Sequence, residues 1–193
     1  GKARHRDAVR SSHSHTVYRY GHKWIVLAIL IELPYTGRPL ALPVLVALYR
    51  DKKTNAAEGH RHKTAAELMC GLLAVLMRWF PERKFVFAGD NAYGTHAMAR
   101  FAVRHRQRLT LVSKIVADAN LFAPPPRRTK KKNGRPPVKG ASLPSPAEVA
   151  QSNKRGRKLR ERWYGGGWRK VKVYSGVGCW YKSGHRIVEL RWV

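Results

Sequence analysis

Acidic residues are scarce in this sequence, and their scarcity is its strongest compositional feature. Only 11 Asp and Glu stand against 39 Lys and Arg, which gives a net charge of +28 over 193 residues. A surface this basic attracts polyanions, either nucleic acid or an anionic membrane. Nucleic acid is the expected partner class, and a charge that only balances another subunit is the alternative.

Long apolar runs and paired cysteines are also missing. The longest apolar run, Trp24 to Leu33, contains Glu32 and is too short to cross a bilayer, so no membrane partner is expected. Cys70 and Cys179 lie far apart, which excludes a disulfide framework or zinc knuckle and fits a reducing cytoplasm. No signal peptide, P-loop, GxGxxG or Ser-His-Asp order occurs, which removes secretion and the commonest nucleotide-binding and hydrolase functions.

The first part of the chain carries apolar segments separated by turn signals. Runs of β-branched residues at 24–33 and 40–50 predict two strands buried on both faces, joined as an antiparallel hairpin. Pro43 predicts a bulge or an edge position in the second strand. Apolar runs at 85–89 and 109–114 predict two further strands. The segments predicted as loop, edge or solvated connection are 1–22 and 51–63.

Two helices are predicted between these strands. Thr64 and Glu67 have the spacing of a capping box at the start of a helix that Pro81 ends. A second helix is predicted from Thr95 to about Gln107. The order β-β-α-β-α-β indicates an α/β core with at least one parallel crossover. The side chains expected to face the core are Leu68, Leu72, Leu76 and Trp79 in the first helix and Met98, Phe101 and Ala102 in the second.

The second part of the chain is more basic. Residues 124–162 hold thirteen Lys and Arg against two Glu, and predict a flexible, Pro-rich insertion. One short helix is expected there, begun by Ser145 and Pro146 and capped through Glu148. A β-like pattern returns at 163–193. Phosphate contacts are expected from Lys114 and from the basic clusters 127–132 and 154–162. The residues named for this role are Lys114, Arg127, Arg128, Lys130, Lys131, Lys132, Lys154, Arg155, Arg157 and Lys158.

Asp90 is the first candidate for chemistry. It directly follows the strand 85–89, where α/β sheets place their sites, and its oxygens suit a hard cation such as Mg²⁺. Spacing alone favours an Asp-Asn turn that caps the next helix, because one carboxylate cannot make a metal site. Lys114, expected near the same sheet edge, either holds a phosphate or is one more solvated cation. The histidine pairs without companion ligands, where no zinc site is expected, are His13/His15 and His60/His62.

Seven motifs, taken in order, resemble bacterial insertion-sequence transposases of the DDE type, in the branch that has a β-rich insertion in a ribonuclease-H-like core. The similarity covers nearly the whole chain. The motifs are GHKWIVLAILIELP, LALPVLVALYR, GHRHKTAAEL, FVFAGDNAYG, LVSKIVADANLFAPPP, WYGGGWRKVKVYSG and WYKSG.

This resemblance implies an α/β fold with part of a ribonuclease-H-like mixed sheet. The implied organisation is a basic N-terminal segment at 1–23, a partial core at 24–114 and an insertion at 115–193. The insertion comprises the basic, Pro-rich linker 124–162 and the β-rich part 163–193.

The resemblance also implies roles for particular residues. Asp90 matches the second catalytic aspartate and metal ligand, with Asn91 and Tyr93 beside it in the D-x-x-Y arrangement. Mg²⁺ or Mn²⁺ is the implied cofactor of the parent enzyme, and double-stranded DNA at transposon ends is its implied partner. A bacterial, nucleoid-associated location follows, and a homodimer in the synaptic complex stays open.

Two departures from the family pattern predict an internal fragment. The first catalytic Asp is expected on an apolar strand before the hairpin, where Asp7 is the sole aspartate and has no such strand around it. The catalytic Glu is expected on a later helix, and Glu189 lies in a strand-like segment. The chain is therefore expected to bind DNA without cutting it. The alternative function is a non-enzymatic, basic RNA-binding or ribosome-associated protein.

Overall fold

The computed structural model describes residues 3–7, 9–126, 136–152, 156–163 and 166–193. The chain divides into two compact units, residues 1–112 and 113–193. Among the helices of the described residues, none combines the length and the apolar character needed to cross a bilayer.

The first unit contains β-strands, α-helices and one 3₁₀ turn. Its strands are β1 (Ala3–Arg6), β2 (Tyr18–Gly21), β3 (Lys23–Ile31), β4 (Leu40–Tyr49), β5 (Phe85–Gly89) and β6 (Leu109–Ser113). Its helices are α1 (Lys52–Ala57), α2 (Ala65–Trp79) and α3 (His96–Arg104), and the 3₁₀ turn is Asn91–Tyr93.

The β3–β4 hairpin is antiparallel, as predicted. Its register shifts between Leu27, which pairs with Leu45, and Ala28, which pairs with Pro43, so Val44 is the extra residue of a bulge. Proline cannot donate to a ladder hydrogen bond, and a bulge beside it accommodates the missing donor. The bulge predicted at Pro43 is therefore confirmed.

The strands of this unit pair in twos, so the described residues form a mixed α/β unit with several small sheets. β1 pairs with β2, β3 with β4, and β5 with β6, and within the described residues no ladder joins these pairs. The backbone N–H of Phe85 donates to the carbonyl of Arg108 at 2.7 Å, so β5 and β6 begin side by side. What joins β3–β4 to β5–β6 is a shared apolar core.

Only one face of the β3–β4 hairpin is buried, although both faces were predicted to be. Ile25 and Leu27 are buried, whereas Trp24, Val26 and Leu30 on the other face are 55%, 43% and 66% exposed. The cause is that α2 packs against β3 and β4 from one side. The exposed face is nevertheless as apolar as the buried one.

Helix α2 is the centre of the core. Its predicted capping box is confirmed: the Glu67 N–H donates to the Thr64 hydroxyl at 3.2 Å, and the Thr64 N–H donates to a Glu67 carboxylate oxygen at 2.8 Å. Of the predicted inward face, Leu76 is buried and Leu68 and Leu72 are partly buried against the core, whereas Trp79 is 55% exposed, which corrects the prediction at that position. The helix is apolar around most of its circumference, so periodicity alone does not select a face. The side chains that it buries are Ala66, Met69, Leu73, Leu76 and Met77.

Two segments predicted as loops contain short elements. Part of 1–22 forms the β1–β2 pair, and 51–63 contains α1, capped by Asp51 accepting the Thr54 N–H at 2.7 Å. Both elements are too short to show a hydrophobic period. The predicted second helix is α3, with Thr95 as its N-cap and Met98 fully buried.

The second unit carries a three-stranded sheet and a separate hairpin. Its elements are β7 (Leu121–Phe122), α4 (Pro146–Ser152), β8 (Arg157–Arg162), β9 (Trp168–Val173), β10 (Gly176–Trp180) and β11 (Val188–Trp192). The sheet has the order β11-β10-β7, and β8 pairs with β9 alone. The α4 capping box between Ser145 and Glu148 is confirmed. β8 lies in the stretch that was predicted to be flexible. The strand was not predicted because its many charged residues obscure the usual apolar pattern of a strand.

Candidate functional site

Asp90 lies directly after β5, exposed at the tip of the strand. It is the N-cap of the 3₁₀ turn, and its Oδ1 accepts a hydrogen bond from the Ala92 N–H at 2.9 Å. The structure thus gives Asp90 the capping role that spacing alone favoured. A capping aspartate still presents its carboxylate to solvent, so Asp90 can cap the turn and also act as a metal ligand.

Gly89 and Tyr93 fix the turn that carries Asp90. The Tyr93 N–H donates to the Asp90 carbonyl at 3.0 Å, and the Tyr93 ring packs edge-on against Phe87 with centroids 5.6 Å apart. A Cβ added to Gly89 would lie 2.8 Å from the Tyr93 Cβ and 3.0 Å from a ring carbon of Phe87. The turn therefore folds back onto β5 only because residue 89 has no side chain.

The phenol of Tyr93 is held in its neutral form. Burial, and after it the negative charge of Asp90, raises the pKa of Tyr93 above its ordinary value. Both causes disfavour the phenolate, so Tyr93 stays uncharged to a higher pH than an ordinary tyrosine. Asn91, the first residue of the turn, is exposed.

The described residues do not assemble a metal centre around Asp90. All eleven acids of the sequence fall within the described ranges, and no group of three Asp, Glu, His or Cys side chains there is placed to hold an ion. A divalent ion of the Mg²⁺ or Mn²⁺ type needs several oxygen ligands. The residues present therefore do not fit a complete site for the implied cofactor.

Several of the other acids serve helix ends or ion pairs. Asp51, Glu67 and Glu148 cap helices, and the backbone N–H groups that they accept lower the pKa of all three. Glu58 forms an ion pair with Arg50. Asp90 also caps a turn, and it differs from these acids in its place directly after the strand β5, which is the position that the resemblance implies.

The two acids considered for the missing catalytic positions have other places in the fold. Asp7 follows β1 in a turn, where its carboxylate accepts the Val9 N–H at 3.1 Å. Glu189 lies within β11, opposite Cys179 on β10. Neither is on the kind of element that the resemblance requires.

The histidine pairs lie in polar surroundings. His62 shares a hydrogen bond of 3.3 Å with the buried Asn55 and packs edge-on against Tyr49. His60 lies 3.9 Å from the Glu58 carboxylate. The other pair, His13 and His15, is exposed in the turn between β1 and β2.

The predicted DNA contacts fall into two sets. Lys114, Arg157 and Lys158 are described and exposed: Lys114 directly follows β6, and the other two begin β8. Arg157 and Lys158 point to opposite faces of their hairpin, since neighbouring strand residues alternate. The predicted contacts that lie outside the described residues are Arg127, Arg128, Lys130, Lys131, Lys132, Lys154 and Arg155.

A family model described as DDE superfamily endonuclease matches residues 2–171. The chain belongs to this superfamily. The match contains the hairpin β3–β4, the core helix α2, Asp90 and the β8 strand. Searches of curated proteins and of solved structures found no match. Membership identifies a nuclease or transposase domain, and DNA as the substrate class of the superfamily.

Sequence reasoning named the basic cluster 154–162 and missed the cations of the strand that faces it. Lys158, Arg160 and Arg162 alternate along RKLRER, which places them on one side of β8. The missed cations alternate in the same way along WRKVKV, in the stretch that was predicted to be β-like. They are Lys170 and Lys172.

Proposed function

We propose that this chain is the central part of an insertion-sequence transposase. The parent enzyme would cleave and join DNA at the ends of its element, and Asp90 would be the second of its three catalytic carboxylates. The observation that carries this proposal is an exposed aspartate at the end of β5, in a D-x-x-Y arrangement, within a family match over residues 2–171.

The proposal includes a ribonuclease-H-like arrangement of the core and a β-rich insertion. The supporting observation is that α2 packs against β3, β4 and the 3₁₀ turn that carries Asp90. One helix therefore fixes the hairpin and the candidate site in the same unit. The insertion would correspond to residues 115–193.

Asp90 would supply one oxygen ligand to the Mg²⁺ or Mn²⁺ ions of the parent enzyme. Two-metal nucleases clamp their ions with several carboxylates, which position both ions for attack on a phosphodiester. The described residues offer one such carboxylate. We therefore expect residues 1–193 to bind double-stranded DNA and to leave it uncut.

A plasmid assay tests both expectations, that the chain binds duplex DNA and that it does not cut it. Residues 1–193 are incubated with supercoiled plasmid and 5 to 10 mM Mg²⁺ or Mn²⁺, on the order of ordinary nuclease conditions, and DNA binding is measured in parallel by fluorescence anisotropy. The expected result is binding without nicked circles. Asp90→Asn keeps the cap acceptor, and Asp118→Asn removes an exposed carboxylate elsewhere as the matched control.

Two outcomes would overturn the proposal. Metal-dependent nicking by residues 1–193 that is lost in Asp90→Asn and kept in Asp118→Asn would show a complete active site. Tight binding to ribosomal RNA with negligible binding to duplex DNA at the same salt would favour the non-enzymatic alternative. A homodimer on transposon ends and nucleoid association belong to the same proposal, and sedimentation with and without a DNA end tests the dimer.

A further inference from the structure

The β8–β9 hairpin has one face made almost wholly of cations. Its register pairs Lys158 with Lys172 and Arg160 with Lys170, and the next pair is Arg162 with Trp168. Directly opposed residues on an antiparallel pair point to the same side of the ribbon. Five of the six side chains on this face, which we call the cationic face, are therefore basic.

The opposite face of the hairpin has a different character. Leu159, Val171 and Val173 are its half-buried apolar residues, and Glu161 lies across from Arg169. This face is therefore partly buried and carries one acid against two cations, Arg157 and Arg169. The cationic face has no acid, and among the described residues none of the ion pairs involves its cations.

Like charges that face each other across a strand pair destabilise the pair. Two such pairs lie next to each other here, Lys158 with Lys172 and Arg160 with Lys170. Exposed charges that only confer solubility need no such alignment. An ordered row of opposed cations is explained if a polyanion neutralises it.

Aromatic rings hold some of these cations in place. The Arg160 guanidinium lies over the Trp168 ring at 5.2 Å from its centroid, and the Lys172 ammonium lies over the Tyr174 ring at 5.6 Å. Such cation–π contacts restrict side chains that otherwise sample many rotamers. Less conformational entropy is then lost when the cations meet a ligand.

We propose that the cationic face binds the phosphate backbone of duplex DNA; this rests on the proposed function, which supplies DNA as the partner. Same-face residues are about 6.8 Å apart along a strand, so Lys158 to Arg162 spans about 14 Å. Phosphates of one DNA strand advance about 3.4 Å along the helix axis, so this span covers about four base pairs. Contacts to phosphates carry no base preference.

The test compares two single variants at neighbouring positions of β9 that lose the same charge. Lys170→Gln removes one cation from the cationic face, and Arg169→Gln removes one from the opposite face. Binding to a 20-base-pair duplex of random sequence is measured over a range of salt concentrations, with circular dichroism as a check on folding. Each lost phosphate contact makes the slope of log K against log salt shallower by about 0.9.

The expected result is a slope shallower by about 0.9 for the cationic-face variant and an unchanged slope for the opposite-face variant. Equal changes in both variants would reflect net charge alone and overturn the proposal. No change in either variant, with normal binding by the wild type, would overturn the hairpin contact while DNA binding stands. Absence of binding by the wild type would instead overturn the proposed function. A difference between the variants seen with single-stranded RNA and absent with duplex DNA would also refute it.

Discussion

Replacing Gly89 by alanine tests whether the turn that presents Asp90 depends on a missing side chain. The new Cβ would lie 2.8 Å from the Tyr93 Cβ and 3.0 Å from a Phe87 ring carbon. Carbon atoms in contact prefer about 3.5 to 4.0 Å, so Tyr93 or the strand would have to move by about 0.7 to 1.2 Å. Overpacking of this kind costs about 1 to 3 kcal/mol of unfolding free energy.

Gly71→Ala is a matched control within the same unit. Gly71 lies inside α2, where an added Cβ meets nothing within 4 Å. Alanine favours a helix interior over glycine by about 0.5 to 1 kcal/mol, so this variant is expected to be more stable than the wild type. The same Gly→Ala substitution is therefore expected to lower the unfolding free energy at position 89 and to raise it at position 71.

Urea unfolding, followed by circular dichroism, measures both effects. With a slope of about 2 kcal/mol per molar, Gly89→Ala should lower the midpoint by about 0.5 to 1.5 M, and Gly71→Ala should raise it slightly. The reasoning fails if Gly89→Ala is as stable as the wild type. It also fails if the two variants shift in the same direction by similar amounts.

Two further predictions concern titratable side chains. Hydrogen bonds from the backbone N–H and the hydroxyl of Thr64 lower the pKa of Glu67, so its charge stabilises α2 above the ordinary glutamate pKa of about 4.3, and this stabilisation fades as pH falls through the lowered folded value. Glu67→Gln should therefore lower the unfolding free energy at pH 7 by about 0.3 to 1 kcal/mol relative to the wild type, and the difference should close at acid pH. A loss that is constant with pH would contradict this prediction. Burial raises the pKa of Cys70 to about 11, so its thiolate fraction at pH 8 should be about 90-fold below that of an ordinary thiol, and iodoacetamide should label it correspondingly slowly until urea is added. Labelling of native Cys70 at the rate of free cysteine, detected by mass spectrometry, would refute the burial argument.

Local signals in the sequence predicted the elements that carry their own capping or breaking residues. The capping boxes at Thr64 and Ser145 and the bulge at Pro43 are determined by neighbours in the chain, and all three are confirmed. The inward face of α2 and the burial of β3 depend on what packs against them from distant parts of the chain. Both elements carry apolar residues on more than one face, so the sequence pattern does not show which face is buried.

The candidate site also combines features set by neighbours in the chain with features set by the three-dimensional arrangement. Asp90 could be located from the strand that precedes it, and its capping hydrogen bond from the Asp-Asn turn that follows. The absence of companion carboxylates among the described residues follows from the three-dimensional arrangement. The basic cluster 154–162 could be identified from its charge, whereas its alignment with Lys170 and Lys172 depends on the register of β8 and β9, which the local sequence does not determine.

The apolar outer face of the β3–β4 hairpin links the solubility of this chain to its partner. Isolated copies carry +28 and repel each other, which keeps Trp24 and Leu30 of neighbouring molecules apart despite their exposure. A polyanion removes that repulsion, because each bound phosphate neutralises a cation. Binding to one nucleic-acid molecule should therefore bring copies close together and allow their exposed apolar faces to associate.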